Sequence, residues 1–280
     1  MCKYLNNLQT KPIPEKMSYF YINSLRKMKR HIPNLITLLN LFCGCVAVIF
    51  AVLNQLEIAA LFVFLGIFFD FFDGFAARIL KAQSPLGLQL DSLADMITSG
   101  LVPGIVMFQL LGMSMTGGWN ADLSSQATND TFWFGLKVAP LPFLGFLITL
   151  ASAYRLAKFN LDEDQQTSFV GLPTPANALW ILSLPLILLY HNNDLLNSIL
   201  LNPWFLLSIT LLSSFLLNAK IRLFALKFKS GNFKDNALRY LFLIGSLVLV
   251  ITMKFIAIPV IIGFYIISSI ILNWTTKDGY

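Results

Sequence analysis

The sequence predicts an all-α protein, a polytopic transmembrane helical bundle of about eight spans, and three observations predict it. The 280 residues are 56% hydrophobic and only 12% charged, with mean hydropathy +0.70, whereas soluble domains carry roughly 25% charged residues. Apolar runs recur along the chain, several close to the 20 or so residues a helix needs to cross hydrocarbon. Basic residues gather at the ends of those runs and on alternate connections, which is the asymmetry of a membrane protein with a positive inside.

Taken in order, the spans fall at about 33–53, 58–80, 88–112, 138–158, 174–190, 202–218, 238–253 and 256–274, the fifth to seventh being short for the hydrocarbon core. Arg26, Lys27, Lys29 and Arg30 precede the first. Arg78 and Lys81 close the second, and "KAQSPLG" (81–87) turns the chain with Pro85 and Gly87, residues that end one helix and start the next. The third runs into "SMTGGWNADLSSQATND" (114–130), the longest polar interruption. Arg155 and Lys158 close the fourth, the Gly171–Pro173 turn opens the fifth, and Lys220, Arg222, Lys227, Lys229, Lys234 and Arg239 lie between the sixth and seventh. The opposite connections hold Lys137 and Lys254. An even number of spans therefore puts both termini in the cytoplasm. Residues 1–30 are expected to form a cytoplasmic or interfacial basic segment, and 31–280 the transmembrane domain.

The net charge of +6 does not point to nucleic acid, because the basic residues sit beside apolar spans where anionic headgroups attract them. The stretch 1–30 lacks a long apolar core, so the first span is expected to act as its own insertion signal. Cys2 is terminal, and Cys43 and Cys45 are too close in sequence for a relaxed bridge, so no disulfide framework is expected.

The acidic residues carry the functional signal. Of fourteen, ten fall in tails, loops or span ends. The other four, Asp70, Asp73, Asp91 and Asp95, lie in spans, where a carboxylate costs about 2.5–3.5 kcal/mol and normally faces a cavity with partners. Asp70 and Asp73 are spaced i,i+3 near the end of the second span, and Asp91 and Asp95 i,i+4 at the start of the third, so each pair shares one helix face. Antiparallel neighbours would bring the pairs to similar depth. Carboxylates so close repel unless protonated or neutralised by cations. Oxygen ligands without His or Cys suit Mg²⁺ or Mn²⁺ better than zinc. Gly74 and Ala77 continue the Asp70 face and leave room for a bulky ligand, while Arg78 adds a planar fork suited to phosphate oxygens. Two metals and an arginine would neutralise a diphosphate during displacement. An ion path in a transporter is the alternative from another class, since membrane carboxylates also build proton relays.

The stretch Asp70 to Asp95 follows D-x₂-D-G-x₂-A-R-x₈-G-x₃-D-x₃-D at every fixed position: Asp70, Asp73, Gly74, Ala77, Arg78, Gly87, Asp91 and Asp95. It resembles the signature of the CDP-alcohol phosphotransferases, integral membrane enzymes that move a phosphatidyl or related group from a CDP-linked donor to an alcohol. The resemblance implies that Asp70, Asp73, Asp91 and Asp95 ligate a dimetal centre, that Asp95 is also the general base on the acceptor hydroxyl, and that Gly74 and Ala77 admit the CDP moiety with Arg78 on its phosphates. It also implies a homodimer.

Three further stretches, "HIPNLITLLNLFCG" (31–44), "LQLDSLADMITSGLVPG" (88–104) and "ASAYRLAKFNLDEDQQTSFVGLPTPANAL" (151–179), are similar to the bacterial integral-membrane branch of that family. That branch takes CDP-diacylglycerol as donor and L-serine as acceptor, with the site facing the cytoplasm at the inner membrane. On this reading Asn34 and Thr37 contact the cytidine, or Asn34 caps the first helix. Arg155 or Lys158 holds the serine carboxylate, or both anchor the span by snorkelling. Asn160 and the Gly171–Pro173 turn shape the pocket, or serve loop geometry alone. Glycerol 3-phosphate, a second phospholipid, inositol phosphate and choline are the rival acceptors.

Overall fold

Local chemistry at each break decides where one helix stops and the next begins. The computed structural model describes residues 15–116, 139–161, 171–191, 193–221, 223 and 237–275, without the side chains of 15–30, 237–239, 241 and 272–275, and every regular element among them is helical. The polar connection 114–130 and the basic cluster at 222–234 fall largely outside these residues.

Helix α1 spans Glu15–Val52 and runs straight through Pro33. Asn34 therefore caps nothing, which corrects the expectation that the helix starts beside it. The stretch before Pro33 contains several Lys, Arg and Met residues, good helix formers, and the Thr37 hydroxyl donates to the Pro33 carbonyl at 3.1 Å. Asn54, with φ 60°, turns the chain in the left-handed region that Asn tolerates, and α2 follows as Leu56–Ile79. The Gln109 amide, reaching across from a later helix, donates to the carbonyls of Ala51 and Val52 at 3.1 and 3.0 Å, satisfying groups the end of α1 leaves unpaired.

Helix α3, Pro85–Asp95, starts on Ser84, whose Oγ accepts from the Gly87 N–H at 3.0 Å, with Pro85 in the first turn. It passes into a π-helical segment, Met96–Leu101, and then α4, Val102–Thr116. The expected uninterrupted third span thus contains a widened turn. After a 3-10 turn at Leu141–Phe146 come α5 (Leu147–Leu161) and α6 (Thr174–Tyr190). Helices α7 (Asp194–Leu200) and α8 (Pro203–Asn218) meet at 60°. There Asn202 Oδ1 accepts from the Trp204 and Phe205 N–H groups, and Pro203 opens the new helix. Helices α9 (Ala237–Met253) and α10 (Ala257–Thr275) fold back on each other through a turn at Lys254–Ile256. Lys254 has φ 49°, and the ring of Phe242 stacks on Phe264 at 6.2 Å.

Packing follows membrane rules. Water drives little association between helices in lipid, so small residues that let backbones approach take over. Helices α1 and α2 make the most extensive pair, across Ala47, Ala51, Ala59, Ala60 and Gly66, all buried. Helices α4 and α6 form the centre, with Met107, Leu110, Leu111, Ile181 and Leu182 fully buried. Leu35, Phe42, Phe71, Phe75, Leu211, Phe215 and Ile251 are exposed, as side chains facing lipid would be.

Four stretches, His31–Val52, Leu56–Ile79, Pro85–Thr116 and Phe242–Ile271, are long and apolar enough to cross a membrane, and the bent α7–α8 pair makes a fifth. The last of the four contains the α9–α10 turn. This is a helical integral membrane protein.

The contacts also define two ends. At one end the Ser84 turn, the α5 C-terminus and Gly171 come together, with Ser92 bonded to Asn160, Asn218 to Ala151, and Gly171 N–H to Ile221. Arg78, Lys81, Arg155, Lys158 and Lys220 lie at this end. At the other, Tyr190 donates to Glu57 and its ring meets Phe255, beside Lys254.

A close backbone approach between the 3-10 turn and α4 gives a test. A Cβ on Gly145 would lie 2.7 Å from the Phe108 nitrogen and 3.0 Å from the Gly104 carbonyl oxygen, main-chain atoms that cannot rotate aside. Gly145→Ala is expected to cost about 1–3 kcal/mol, read as a lower Tm in detergent. An unchanged Tm would mean that the 3-10 turn and α4 are not packed this closely.

Candidate functional site

The four aspartates arrive from two helices that leave a gap between them. Helix α3 packs chiefly on α1 and hardly on α2, so the expected direct α2–α3 pairing is replaced by a cleft with α1 as its floor. The reason lies in the residues at the gap, Gly74 and Ala77 on α2 and Gly87 on α3, which carry no bulk to fill it. A Cβ on Gly74 would meet only Arg78 Nη2, at 3.7 Å. The cleft is a cavity of about 660 Å³ lined by Asn34, Thr37, Asp73, Gly74, Ala77, Arg78 and Asp91, with the Gln83–Pro85 turn at its mouth.

Asp70, Asp73 and Asp91 each offer a carboxylate oxygen, and these lie within 4.8 Å of one another. Asp73 is buried, and its Oδ2 has no hydrogen-bond partner. Its other neighbours are the Thr37 side chain and the Gly74 backbone N–H. Asp95 lies one turn beyond Asp91 and is buried. It is not part of the three-oxygen group, but it is close enough to interact electrostatically with Asp70, Asp73, Asp91 and Arg155.

An all-oxygen set with an unsatisfied buried carboxylate oxygen fits a hard divalent cation. Charge points the same way. Four ionised carboxylates against the guanidinium groups of Arg78 and Arg155 leave two negative charges, the charge of one such ion. Low-dielectric burial makes that imbalance costly unless an ion or protons offset it.

The other expected residues divide into two groups. Asn34, Thr37, Gly74, Ala77 and Arg78 all line the cleft. Arg155 does not line it. Its half-buried guanidinium approaches from α5 toward Asp95, and its Nε is buried without a partner. Lys158, one turn on, is exposed. Asn160 bridges α5 to α3, its Oδ1 accepting from Ser92 at 3.1 Å and its amide donating to Gln89 at 3.4 Å. His31 is exposed and His191 belongs to the opposite end.

Sequence reasoning missed Asn40 and Thr98. Asn40 is fully buried, and its Nδ2 donates to Asp95 Oδ1 at 3.4 Å. Thr98, in the π segment and also fully buried, donates to Asn40 Oδ1 at 2.8 Å. A signal for Asn40 existed. Pro33, Thr37, Asn40, Gly44, Ala47 and Ala51 follow helical spacing and are all buried, so the motif's partner helix shows a small and polar stripe. Thr98 had no such signal, because the π turn shifts the register that a regular helix would give it.

The sequence profile of the CDP-alcohol phosphatidyltransferase family matches residues 30–275. A Bacillus subtilis protein named CDP-diacylglycerol–serine O-phosphatidyltransferase is 33% identical over 149 residues, 52% of this chain and 70% of that protein. Proteins of the same name from Mycobacterium tuberculosis (strain H37Rv) and Helicobacter pylori (strain 26695) are each 29% identical. They match over 160 and 151 residues, which are 55% and 53% of this chain. The matched segments make up about half of these two relatives, 48% and 54%.

The carboxylate group predicts cation binding that does not require turnover. Purified protein titrated with Mn²⁺ and followed by electron paramagnetic resonance should show saturable binding. Asp73→Asn should weaken it by roughly tenfold or more, as expected when a charged ligand is neutralised. Equal Mn²⁺ affinity in the variant and the parent would remove Asp73 from the ligand set.

Proposed function

This chain belongs to the CDP-alcohol phosphatidyltransferase family, and on that premise we propose that it is a phosphatidylserine synthase, moving the phosphatidyl group of CDP-diacylglycerol onto L-serine with release of CMP. The observation that carries the reading is the carboxylate group opening onto a cleft large enough for a nucleotide diphosphate. The name shared by the relatives supports the choice of donor and acceptor.

Each residue then has a task set by its surroundings. The donor diphosphate lies along Gly74 and Ala77, where the absence of side chains lets it approach the backbone. Arg78 offers its fork to the phosphate oxygens. Asn34 and Thr37, on the α1 floor of the cleft, meet the cytidine. Asp70, Asp73 and Asp91, with Asp95 completing the set, would hold Mg²⁺ or Mn²⁺, two ions in this reading, and such ions supply charge neutralisation to the diphosphate and the departing CMP. Asp95 takes the proton of the acceptor hydroxyl. The serine oxygen bonds to the phosphatidyl phosphorus as the bond from that phosphorus to the CMP oxygen breaks, and the bonding pair leaves with CMP.

The acceptor's carboxylate needs a cation beside Asp95. Arg155 supports that role through its unpartnered Nε and its approach to Asp95. The exposure of Lys158 suits a headgroup anchor better than a substrate ligand.

Read as a membrane topology, the eight expected segments, each helical over most of its length, make eight spans. The basic residues at the end shared with the cleft set that end in the cytoplasm. Residues 1–30 precede the catalytic domain 31–280, the membrane is a bacterial inner membrane, and the working form is a homodimer.

Purified protein given CDP-diacylglycerol, Mn²⁺ and a panel of alcohols should release CMP with L-serine and not with glycerol 3-phosphate, inositol phosphate or choline. Asp91→Asn should lower turnover roughly a hundredfold or more. CMP release with serine no higher than the blank would overturn the acceptor, and release with none of the alcohols would overturn the reaction class. Arg155→Ala should raise KM for serine about tenfold, the loss of one charged hydrogen-bonding partner, and leave KM for the donor unchanged. Arg78→Ala should do the reverse.

A further inference from the structure

We infer that Asn40 and Thr98 are positioning residues for Asp95, a chain of two hydrogen bonds that fixes which carboxylate oxygen faces the acceptor. The inference rests on the reading of Asp95 as the proton acceptor and goes beyond it in naming what holds that side chain.

The argument starts from proton counting. The Thr98 hydroxyl has one proton to give, and both of its close neighbours are acceptors: Asn40 Oδ1 at 2.8 Å and the Asn40 main-chain carbonyl at 3.2 Å. The shorter contact, to Oδ1, takes the proton and commits the amide oxygen of Asn40 to Thr98. The amide nitrogen must then point the other way, and it meets Asp95 Oδ1 at 3.4 Å. Were Thr98 unable to donate, the amide could turn over and set its oxygen against the carboxylate, a repulsive contact for an ionised Asp95. One hydroxyl proton therefore sets the polarity of the chain.

Thr98 is itself held in place by shape. A Cβ on Gly44 would collide with Thr98 Oγ1, and one on Gly66 would come within 2.6 Å of Thr98 Cγ2 and 2.9 Å of Asn40 Oδ1. The side chain is wedged between two glycines, one on α1 and one on α2. The π segment that carries it is anchored from the other side, where Thr149 on α5 donates to the Gly100 carbonyl at 3.1 Å. Asn40, Thr98, Ser99 and Gly100 have no solvent exposure or are buried, so water cannot replace these bonds. With Oδ1 tied to Asn40, Oδ2 is the Asp95 oxygen left to face substrate.

The test separates hydrogen bonding from packing. In purified full-length protein at saturating Mn²⁺ and CDP-diacylglycerol, Thr98→Val keeps the shape and removes the donor. It should lower kcat roughly ten- to a hundredfold, the usual effect of losing an outer-shell partner, with KM for serine and donor within about twofold of the parent. Thr98→Ser keeps the hydroxyl and should retain parental kcat. Asn40→Ala, which adds no bulk beside Gly66, is the second variant should Thr98→Val fail to fold, and its loss should likewise fall on kcat. Parental kcat in Thr98→Val or Asn40→Ala, or equal losses in Thr98→Val and Thr98→Ser, would overturn the inference. Asp95→Asn run alongside keeps the two readings apart. Activity retained there removes the base itself, whereas an inactive Asp95→Asn beside a fully active Thr98→Val removes only the positioning chain.

Discussion

Mutual repulsion among carboxylates held inside a membrane protein is the constraint to which the rest of this structure answers. Asp70, Asp73 and Asp91 bring oxygens within 4.8 Å of one another, and Asp95 interacts with all three. Apolar surroundings offer these charges little screening, so the arrangement is stable only with positive charge or protons in its midst. The chain provides two arginines, an open cleft beside the carboxylates, and a neutral amide on Asp95. Each of these makes the close approach tolerable.

The bundle around the site is organised to keep that cleft open. In lipid, helices associate through close packing more than through burial of apolar area. Here small residues fix where backbones touch: alanines between α1 and α2, and Gly145 against α4. Helix α3 leans on α1 and stands off α2, so the small residues of the motif line a space instead of a contact. The same residue types thus close the bundle in its middle and hold it open at one end. What differs is whether a neighbouring helix reaches them.

The π turn after Asp95 ties the two regions together. A regular helix from Pro85 onward would place Thr98 at a different angle about the axis, away from the slot between Gly44 and Gly66. The widened turn costs some regularity, and it directs one hydroxyl at Asn40 while Thr149 donates to the Gly100 carbonyl. Asp95 is thereby connected to the packing core through the buried side chains of Asn40 and Thr98.

Much of this was legible in the chain alone. Apolar length and basic asymmetry indicated a helical membrane protein, because crossing hydrocarbon forces the backbone to satisfy itself within each segment. The spacing of Asp70, Asp73, Asp91 and Asp95 indicated that the carboxylates gather, with Gly74, Ala77 and Arg78 beside an open space, because helix periodicity turns spacing into shared faces. What the chain alone did not fix was which helix lies beside which. The cleft floor on α1, the run of α1 through Asn34, the placing of Arg155 beside Asp95, and the Asn40–Thr98 pair all depend on contacts between residues far apart in sequence. Those contacts are chosen by side-chain volume and by a local change of helical register, and neither leaves a periodic mark that a linear reading detects.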